Sequence, residues 1–394
     1  MHVLESYALQ NDLKIDKPYI YEKFFPMVVD KFITIDTSNL GTEALSYDHW
    51  QHVVNLIYPY LKEKEIAIVN LGDKDSIPLT NCYSAVGQCN FNQKAYVIKK
   101  SMVHASTNNE SCHLASAFNK KSVTLFPHNC FPEQFSPYWT EKDNSVILKS
   151  SKVTKKPSFN PSEKPKSINT IKPEEIAKNI LNFLGIFSFV PQFETLTIGS
   201  AFNRKRIESN LTHLVDCEKL GASSLIVRMD LNFNEDALEK QLQVCPCSVI
   251  TNRPISNNIL EKYNKRIIEL VYYLEDDNDP DFIRRVKEKS INYIIRSRHG
   301  GEKLKDFKLA YLDYGLVHYI KPKTKNDFPE LKDKNNIYYK SNFFIVHNQK
   351  FYPCSSALIN NIHGAPTMEY QPSEIIDDPL FWEEAEHFHF FKKK

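Results

Sequence analysis

Neither sign of charge is in excess in this sequence. Its 50 Lys and Arg residues and 48 Asp and Glu residues give a formal net charge of +2 over 394 residues. A broad basic surface for nucleic acid is therefore not expected, and we predict no nucleic-acid partner. Local lysine-rich stretches occur at 149–166 and 392–394, where the pattern favours a solvated linker and a tail.

Long apolar runs are also missing. No stretch approaches the roughly 20 residues that a helix needs to cross a bilayer, so no transmembrane segment is predicted. The first residues, MHVLESYALQNDLK, contain acidic side chains and no apolar core, which is unlike a signal peptide. We therefore expect a soluble protein located in the cytoplasm.

The cysteines form no C-x-x-C pair and no regular framework. Cys245-Pro-Cys247 is the one close pair, and a single C-x-C motif is weak evidence for a metal site. We expect reduced, mostly buried thiols, no bound metal and no cofactor. Glycine is scarce as well, with 10 residues, which we attribute to an AT-rich coding sequence rather than to function.

Length and composition favour two globular domains. The chain exceeds the usual size of a single domain, and 42% hydrophobic residues are enough for sizeable cores. We expect a helix and an extended segment over 1–30 and a first domain over 31–190, with a loop or linker at 149–170. A second domain is expected over 191–394.

The residues from 90 to 130 contain the most informative pattern. They predict a helix, a strand, a second helix and a second strand, at 93–98, 102–105, 112–118 and 122–126. Between the first strand and the second helix lies the polar run Ser106-Thr107-Asn108-Asn109-Glu110-Ser111. Proteins of the α/β class bind ligands at such loops, because the following helix offers free N–H groups and a positive dipole end.

The same order of strand, polar loop and helix recurs across 31–185. Apolar, β-rich segments at 31–36 and 65–71 are each followed by polar residues, which after the first strand are Thr37 to Thr42. Helices are predicted at 47–62 and 173–184. This alternation predicts a parallel, Rossmann-like sheet whose ligand-binding loops all lie at one edge.

The region after residue 190 alternates as well. Short β-rich runs are separated by helix-like stretches, including 204–214, which predicts either an open sheet or a partial barrel. Beyond Asp306 the pattern changes to aromatic, hairpin-like strands, and a helix at 379–391 closes the chain. The expected fold class is therefore α/β, with a Rossmann-like first domain and a second α/β domain that is β-rich towards its C-terminus.

Five segments within 31–185 carry a family resemblance: KFITIDTS, YDHWQHVVNLI, EIAIVNLGDKD, QKAYVIKKSMVHASTNNESCHLASAFNKKSVTLFPHNCFPEQFSP and IKPEEIAKNILNFLGI. In this order they resemble the donor-binding half of GT-B glycosyltransferases of the heptosyltransferase type, glycosyltransferase family 9. The most specific match is His113-Leu114-Ala115. The resemblance implies a GT-B-like fold and metal-independent transfer from a nucleotide-activated sugar to a hydroxyl acceptor such as a saccharide.

The resemblance also implies which residues hold the donor. Thr37 and Ser38 would contact phosphate, and His113 would hydrogen-bond a phosphate or a sugar hydroxyl. From the residues alone, the alternatives are a structural His113 and an ordinary helix start at 108–110. The cleft would be lined by Ser106, Thr107, Asn108 and Asn109.

Three features depart from the family pattern. Asn108-Asn109-Glu110 stand where the family has Asp-Ser/Thr-Gly, and 39–48 lack the lysine that pairs with phosphate. A missing cation would weaken donor binding by roughly 1.5–3 kcal/mol. The acceptor-binding domain of the family precedes the donor-binding domain, whereas here only 1–30 precede it. Either residues 191–394 supply a replacement acceptor-binding domain, or the alternative function applies, a catalytically inactive, glycosyltransferase-derived binding or structural module.

Asp230 is the candidate general base of the second region. It follows the apolar run 224–229, at a position where α/β enzymes place catalytic carboxylates. A structural aspartate at a strand end is the alternative. A further alternative is that 191–394 form an enzyme of their own, in which Asp230 acts.

Overall fold

Two compact units make up the part of the chain that the computed structural model describes. Described are residues 1–38, 42–151, 160, 162–222, 224–276, 279–368 and 372–394. One unit comprises Met1–Thr195 with Lys394, and the other comprises Leu196–Lys393. Parts of the predicted loop at 37–42 and of the predicted linker at 149–170 lie outside the described residues, namely 39–41, 152–159 and 161.

The first unit is built on a six-stranded sheet in which neighbouring strands run parallel. Its strands are β1 (Phe32–Asp36), β2 (Ala67–Leu71), β3 (Tyr83–Ser84), β4 (Val103–Thr107), β5 (Lys121–Phe126) and β6 (Ser145–Lys149). Their spatial order is β3-β2-β1-β4-β5-β6, the order of a Rossmann-type sheet. The prediction of an α/β fold with a parallel, Rossmann-like sheet is confirmed.

Helices pack on both faces of this sheet. The helices of the unit are α1 (Val3–Gln10), α2 (Trp50–Glu63), α3 (Phe91–Lys100), α4 (Glu110–Ala117), α5 (Pro132–Phe135) and α6 (Pro173–Phe183). Ile33 and Ile35 of β1 lie on the face that α2 and α6 cover. Phe32 lies on the other face, against α3 and α4, and the alternation of the strand places Thr34 and Asp36 there as well.

The second unit contains an eight-stranded and a four-stranded sheet, and the border between the units falls inside β7. The strands are β7 (Phe193–Ile198), β8 (Arg206–Ser209), β9 (Leu225–Arg228), β10 (Cys247–Thr251), β11 (Ile267–Leu274), β12 (Tyr293–Ser297), β13 (Val317–Tyr319), β14 (Ile337–Ser341), β15 (Phe343–His347), β16 (Lys350–Tyr352), β17 (Ser373–Glu374) and β18 (Phe388–Lys393). The larger sheet has the order β13-β12-β11-β10-β9-β8-β15-β16 and the smaller the order β17-β14-β18-β7.

Strands β8 to β13 of the larger sheet follow one another in chain order and run parallel. The helices of the unit are α7 (Glu235–Val244), α8 (Asn257–Tyr263), α9 (Pro280–Glu288), α10 (Gly301–Ala310), α11 (Ser355–Ile359) and α12 (Pro379–Glu383). One helix follows each of β9, β10, β11 and β12. Because β13 and β16 are the two ends of the strand order, the described sheet is open, which was one of the two predicted alternatives.

Three element predictions in this unit are wrong. The stretch 204–214 contains β8 rather than a helix, and the buried Glu208 of β8 pairs with Arg206 and Arg228. Apolar periodicity cannot reveal a buried charged strand residue. Helix α10 covers the start of LAYLDYGLVHYI, which was predicted to be hairpin-like. The helix predicted at 379–391 ends at Glu383, because Ala385–His387 form a 3-10 turn and the residues from Phe388 form β18, which pairs with β14.

The expectation that all cysteines are reduced is also wrong. A disulfide joins Cys217 to Cys245. The free cysteines of the described residues are Cys82, Cys89, Cys112, Cys130, Cys247 and Cys354. As for membranes, none of the helices in the described ranges combines the length and the apolar character that a bilayer crossing requires.

Candidate functional site

The candidate site lies at the carboxyl ends of β1 and β4 in the first unit. The strand order reverses between these two neighbours, and parallel α/β sheets bind ligands at such a reversal, outside the carboxyl ends of the strands. Asp36, the last residue of β1, is the register partner of Ser106 in β4. The predicted residues Thr37 and Ser38 are therefore brought to the same edge of the sheet as 106–109.

Thr37 and Ser38 follow β1 directly. The Thr37 hydroxyl donates to the Leu71 carbonyl oxygen at 3.1 Å and accepts from Asn70 Nδ2 at 3.2 Å. Ser38 is buried, and its N–H donates to Asp36 Oδ1 at 2.8 Å. Thr37 keeps partial exposure, so of the two hydroxyls it is the more accessible to a ligand.

The predicted residues of the β4 loop do not all share one surface. Alternation along β4 places Ser106 on the α3 and α4 face of the sheet, with Asp36, and Thr107 on the opposite face. Asn108 is partly exposed and connects two thiols: its Nδ2 donates to Cys130 Sγ at 3.1 Å, and its Oδ1 accepts from Cys112 Sγ at 3.6 Å. Of these three residues, Ser106 is the one on the face of Asp36.

Asn109 is the N-cap of α4. Its Oδ1 accepts from Ser111 N at 3.0 Å and from Ser111 Oγ at 2.6 Å. Glu110 follows as an acidic residue in the first turn, where its negative charge interacts favourably with the positive end of the helix dipole. An ordinary helix start accounts for this part of the loop, apart from the choice of an amide at position 109.

His113 is the fourth of the eight residues of α4 and is partly buried. Burial lowers the pKa of His113 below its usual value, and the neighbouring His2 lowers it further. His2 caps α1, and its Nε2 lies 2.9 Å from the Ser136 carbonyl oxygen. The His113 imidazole is therefore uncharged at neutral pH and is close to the N-terminal helix. Its contact with a phosphate or a sugar hydroxyl stays a prediction.

Lys94 is a site residue that the sequence analysis missed. It extends from α3 and is buried, with 4% exposure. Its Nζ lies 3.0 Å from Glu110 Oε1, 3.2 Å from Ser38 Oγ, 3.4 Å from Asp73 Oδ1 and 3.9 Å from Asp36 Oδ2. Burial lowers the pKa of Lys94, but the acids around it outweigh burial and raise it above its usual value. A permanent positive charge therefore lies at the carboxyl edge of the sheet.

The sequence does contain a signal for Lys94. Helix α3 buries Ala95, Val97 and Ile98, and Lys94 precedes the last two by three and four residues, on the same helix face. A lysine on a buried helix face needs acidic partners, and the polar ends of the neighbouring strands supply them. The sequence after β1 has no lysine over 39–48, and α3 supplies the cation instead.

Three carboxylates surround the single ammonium group. Asp36 is fully buried, whereas the side chains of Asp73 and Glu110 are 44% and 38% exposed. The exposed pair offers acceptor oxygens to ligand hydroxyl groups, and an anionic ligand group has to compete with these acids for Lys94. Within the described ranges, no group of three or more His, Cys, Asp or Glu residues is arranged to hold a metal ion.

Several buried polar atoms at this edge have no hydrogen-bond partner among the described residues. They are Ser106 Oγ and Asn109 Nδ2, together with Thr107 Oγ1 on the opposite face of the sheet and Asp36 Oδ2, which has Lys94 Nζ at 3.9 Å as an ion-pair partner. A buried polar atom without a partner costs about 1–3 kcal/mol, so native proteins rarely keep several together without a ligand or ordered water. The arrangement is typical of a site that completes its hydrogen bonds with a bound molecule.

Asp230 lies in the second unit, after β9, in a buried ion-pair network. Both of its carboxylate oxygens accept from Arg228, each at 2.8 Å. Arg228 Nη1 also donates to Glu208 Oε2 at 2.8 Å and to Ser355 Oγ at 3.0 Å, and it lies 3.8 Å from Glu384 Oε1. Asp230 therefore has a structural role in the unit, and its role as a base stays a prediction.

Glu384 lies farther from the arginine than the other acids of this network, at 3.8 Å from Arg228 Nη1 compared with 2.8 Å for Glu208. Its two oxygens accept from Ser355 N and Ser355 Oγ. Burial raises the pKa of Glu384 to about 7, although Arg228 lowers it, and the nearby Glu208 raises it further. The carboxyl group therefore titrates in the neutral range in the folded protein.

We expect Lys94→Met to destabilise the first unit by about 3–5 kcal/mol, because it leaves the buried Asp36 carboxylate without a cation. The matched control is Lys99→Met on the same helix, which removes a half-exposed pair with Glu22 and should cost at most about 1 kcal/mol. Urea unfolding followed by circular dichroism measures both. Adding Asp36→Asn to Lys94→Met should recover part of the loss, and equal costs for the two lysine variants would contradict a buried charge cluster.

Titration of Glu384 should make the second unit less stable as the pH rises. The pKa is raised from 4.5 in the unfolded chain to about 7 in the fold, so the unfolded state loses its proton first. The contribution of Glu384 to the free energy of unfolding is therefore fully present below about pH 4.5. It falls by at most about 3 kcal/mol between about pH 4.5 and pH 7, and it changes little above that. The free energy of urea unfolding, measured across this range, should fall more steeply in the wild type than in Glu384→Gln. Parallel curves would rule out this titration.

Comparisons with known proteins give partial similarities. No protein-family model and no curated protein matches the sequence. Among solved structures, the chain is similar to the ADP-heptose LPS heptosyltransferase II of E. coli, with 16% identity, a TM-score of 0.31, and coverage of 46% of this chain and 50% of that one. It is also similar to a family 9 glycosyltransferase from Veillonella parvula, with 12% identity, a TM-score of 0.30, and coverage of 46% of this chain and 50% of that one.

The E. coli heptosyltransferase WaaC with ADP gives 11% identity, a TM-score of 0.30, and coverage of 40% of this chain and 46% of that one. The chain therefore spans about half the length of the solved structures it matches. These structures are heptosyltransferases and a family 9 glycosyltransferase.

Proposed function

We propose that residues 31–190 bind a nucleotide-activated sugar and that the protein transfers this sugar to a hydroxyl acceptor such as a saccharide. The observation that carries the proposal is the group of buried, unpartnered polar atoms where the strand order reverses between β1 and β4. Such atoms need a partner with several hydrogen-bonding groups of its own, as a nucleotide sugar has. The sequence resemblance to the donor-binding half of glycosyltransferase family 9 points the same way.

The proposed ligand has an anionic part and a neutral part, and the charges of the site suggest a different position for each. The diphosphate would lie at Thr37, Ser38 and the N-terminus of α4, where the Thr37 hydroxyl is partly exposed and the helix dipole has its positive end. The hydroxyl groups of the sugar or ribose belong with Asp73 and Glu110, whose half-exposed carboxylates accept hydrogen bonds. In this arrangement the exposed acids contact hydroxyl groups of the ligand, and the Lys94 ammonium group offsets their negative charge near the diphosphate.

Lys94 would take the place of the cation that the sequence lacks after β1. Its ammonium group is 3.2 Å from Ser38 Oγ, next to the proposed diphosphate position. Transfer of the sugar leaves negative charge on the diphosphate, and a fixed ammonium group with helix N–H groups would stabilise that charge. Lys94 would then exchange one carboxylate partner for a phosphate oxygen.

Donor binding is the first test of this proposal. Calorimetry against ADP-, UDP-, GDP- and CMP-sugars should give saturable binding of one nucleotide type. Thr37→Val and His113→Ala should weaken that binding by about tenfold each, the equivalent of one lost hydrogen bond. The matched control is His213→Ala, because His213 is also partly exposed and belongs to the second unit. A folded wild-type protein that binds none of these nucleotides would refute the transferase proposal.

A catalytically inactive binding module is the second candidate. The observation that favours it is the double hydrogen bond that occupies both oxygens of Asp230, the proposed base. A base has to reach the acceptor hydroxyl and take its proton, and a carboxylate held by a buried arginine is less available for this. An inactive module would bind the donor and release no nucleoside diphosphate with any acceptor.

We expect Asp230→Asn to keep donor binding and to reduce acceptor-dependent release of nucleoside diphosphate by about 100-fold or more, the usual range for loss of a general base. The control is Asp236→Asn on α7, which also removes one carboxylate from the second unit. Unchanged release in Asp230→Asn would exclude this residue as the base. Donor binding without any release in the wild type would favour the inactive module.

A further inference from the structure

A buried chain of hydrogen bonds leads from β1 to the N-cap of α4. Thr34 Oγ1 and His104 Nδ1 are 2.9 Å apart, His104 Nε2 and Ser111 Oγ are 3.0 Å apart, and Ser111 Oγ and Asn109 Oδ1 are 2.6 Å apart. Thr34, His104 and Ser111 are fully buried, and Asn109 is 4% exposed. The chain crosses from β1 to β4 and ends at the candidate site.

The acceptors determine the direction of every bond in this chain. Asn109 Oδ1 only accepts, so the Ser111 hydroxyl donates to it and must itself accept from His104 Nε2–H. Burial lowers the pKa of His104 to about 4, so the imidazole is neutral and has a single proton. With that proton on Nε2, Nδ1 accepts from the Thr34 hydroxyl. The histidine tautomer and the two hydroxyl directions are therefore interdependent.

This chain fixes the orientation of the Asn109 amide. Its Oδ1 accepts from both the Ser111 hydroxyl and the Ser111 N–H, and an amide rotated by half a turn would place a donor against two donors. The Nδ2 group is therefore held on the side away from Ser111. It is buried and has no acceptor among the described residues.

An N-cap alone does not require an amide. Aspartate and serine cap helices about as well as asparagine, because the cap uses only an acceptor oxygen. What asparagine adds is the Nδ2 donor, and three further buried polar residues hold it in one orientation. A buried donor without a partner is costly, so the molecule gains from a ligand that supplies an acceptor there.

We propose that Asn109 Nδ2 donates to an acceptor oxygen of the bound ligand, and that His104 is a positioning residue that orients Asn109 through Ser111. The inference rests on the proposed function, since it assigns the ligand to the same edge of the sheet. The oxygen belongs to the phosphate or the sugar of the donor. His104 itself does not contact the ligand.

Asn109→Asp tests the donor directly, because aspartate keeps the cap and both bonds from Ser111 but has no N–H to donate. The control is Asn108→Asp, which adds the same charge one residue away. We expect circular dichroism to show that both variants are folded, with a lower thermal midpoint in Asn109→Asp because its carboxylate is buried. The affinity for ADP-, UDP-, GDP- or CMP-sugar should fall about tenfold more in Asn109→Asp than in Asn108→Asp. Equal affinities in the two variants would overturn the role of Nδ2.

Ser111→Ala tests the connection to His104. It should weaken nucleotide-sugar binding about fivefold, and Ser111→Thr, which keeps a hydroxyl, should restore it. The control is Ser116→Ala, because Ser116 is a buried serine of the same helix whose hydroxyl accepts from Trp139 N instead. Equal affinity in Ser111→Ala and Ser116→Ala would overturn the positioning role.

A measurement without ligand separates this inference from the proposed function. In protein labelled with ¹⁵N-histidine, NMR should show His104 as the Nε2–H tautomer in the wild type and as a mixture of tautomers in Ser111→Ala. A mixture of tautomers already present in the wild type would contradict the chain of hydrogen bonds itself. The expected tautomer together with no binding of any nucleotide sugar would refute the proposed function and the ligand contact of Asn109, and would leave the chain as a purely structural feature.

Discussion

The first unit depends on one buried positive charge. A lysine ammonium group without solvent is stable only when acids and hydrogen-bond acceptors surround it, and Lys94 has Asp36, Asp73, Glu110 and Ser38 within 3.9 Å. These partners come from the end of β1, the loop after β2 and the first turn of α4, while the lysine comes from α3. The charge thus ties together the elements that meet where the strand order reverses, and it places the candidate site among them.

The second unit uses a similar arrangement with an arginine. Arg228, at the end of β9, pairs with Glu208 of the neighbouring β8 and with Asp230. In both units a buried cation holds carboxylates near the carboxyl ends of parallel strands. The difference is in what remains unsatisfied, because the first unit leaves polar atoms without partners at this edge, whereas every donor nitrogen of Arg228 has an acceptor. This contrast is why the proposed ligand belongs to the first unit.

Sequence patterns could predict the sheet of the first unit but only part of its site. Apolar, β-rich segments followed by polar loops identify β1, β2 and β4, because a parallel strand that is covered on both faces is apolar along its whole length. The polar residues at the strand ends were predicted for the same reason. Lys94 and His104 were not, because each is a buried residue inside a helix or strand and has a key partner that is distant in the chain, Asp36 for Lys94 and Thr34 for His104. The strand at Arg206–Ser209 was missed for a related reason, since its buried Glu208 depends on Arg228.

The origin of Lys94 on α3 also bears on how this protein can change over time. In a site whose cation comes from the loop after β1, each insertion or deletion in that loop moves the charge. Here the charge belongs to a helix that is packed against the sheet through Ala95, Val97 and Ile98. The loop is then free to vary in length and composition while the charge stays in place, so new ligand preferences can arise there without loss of the cation.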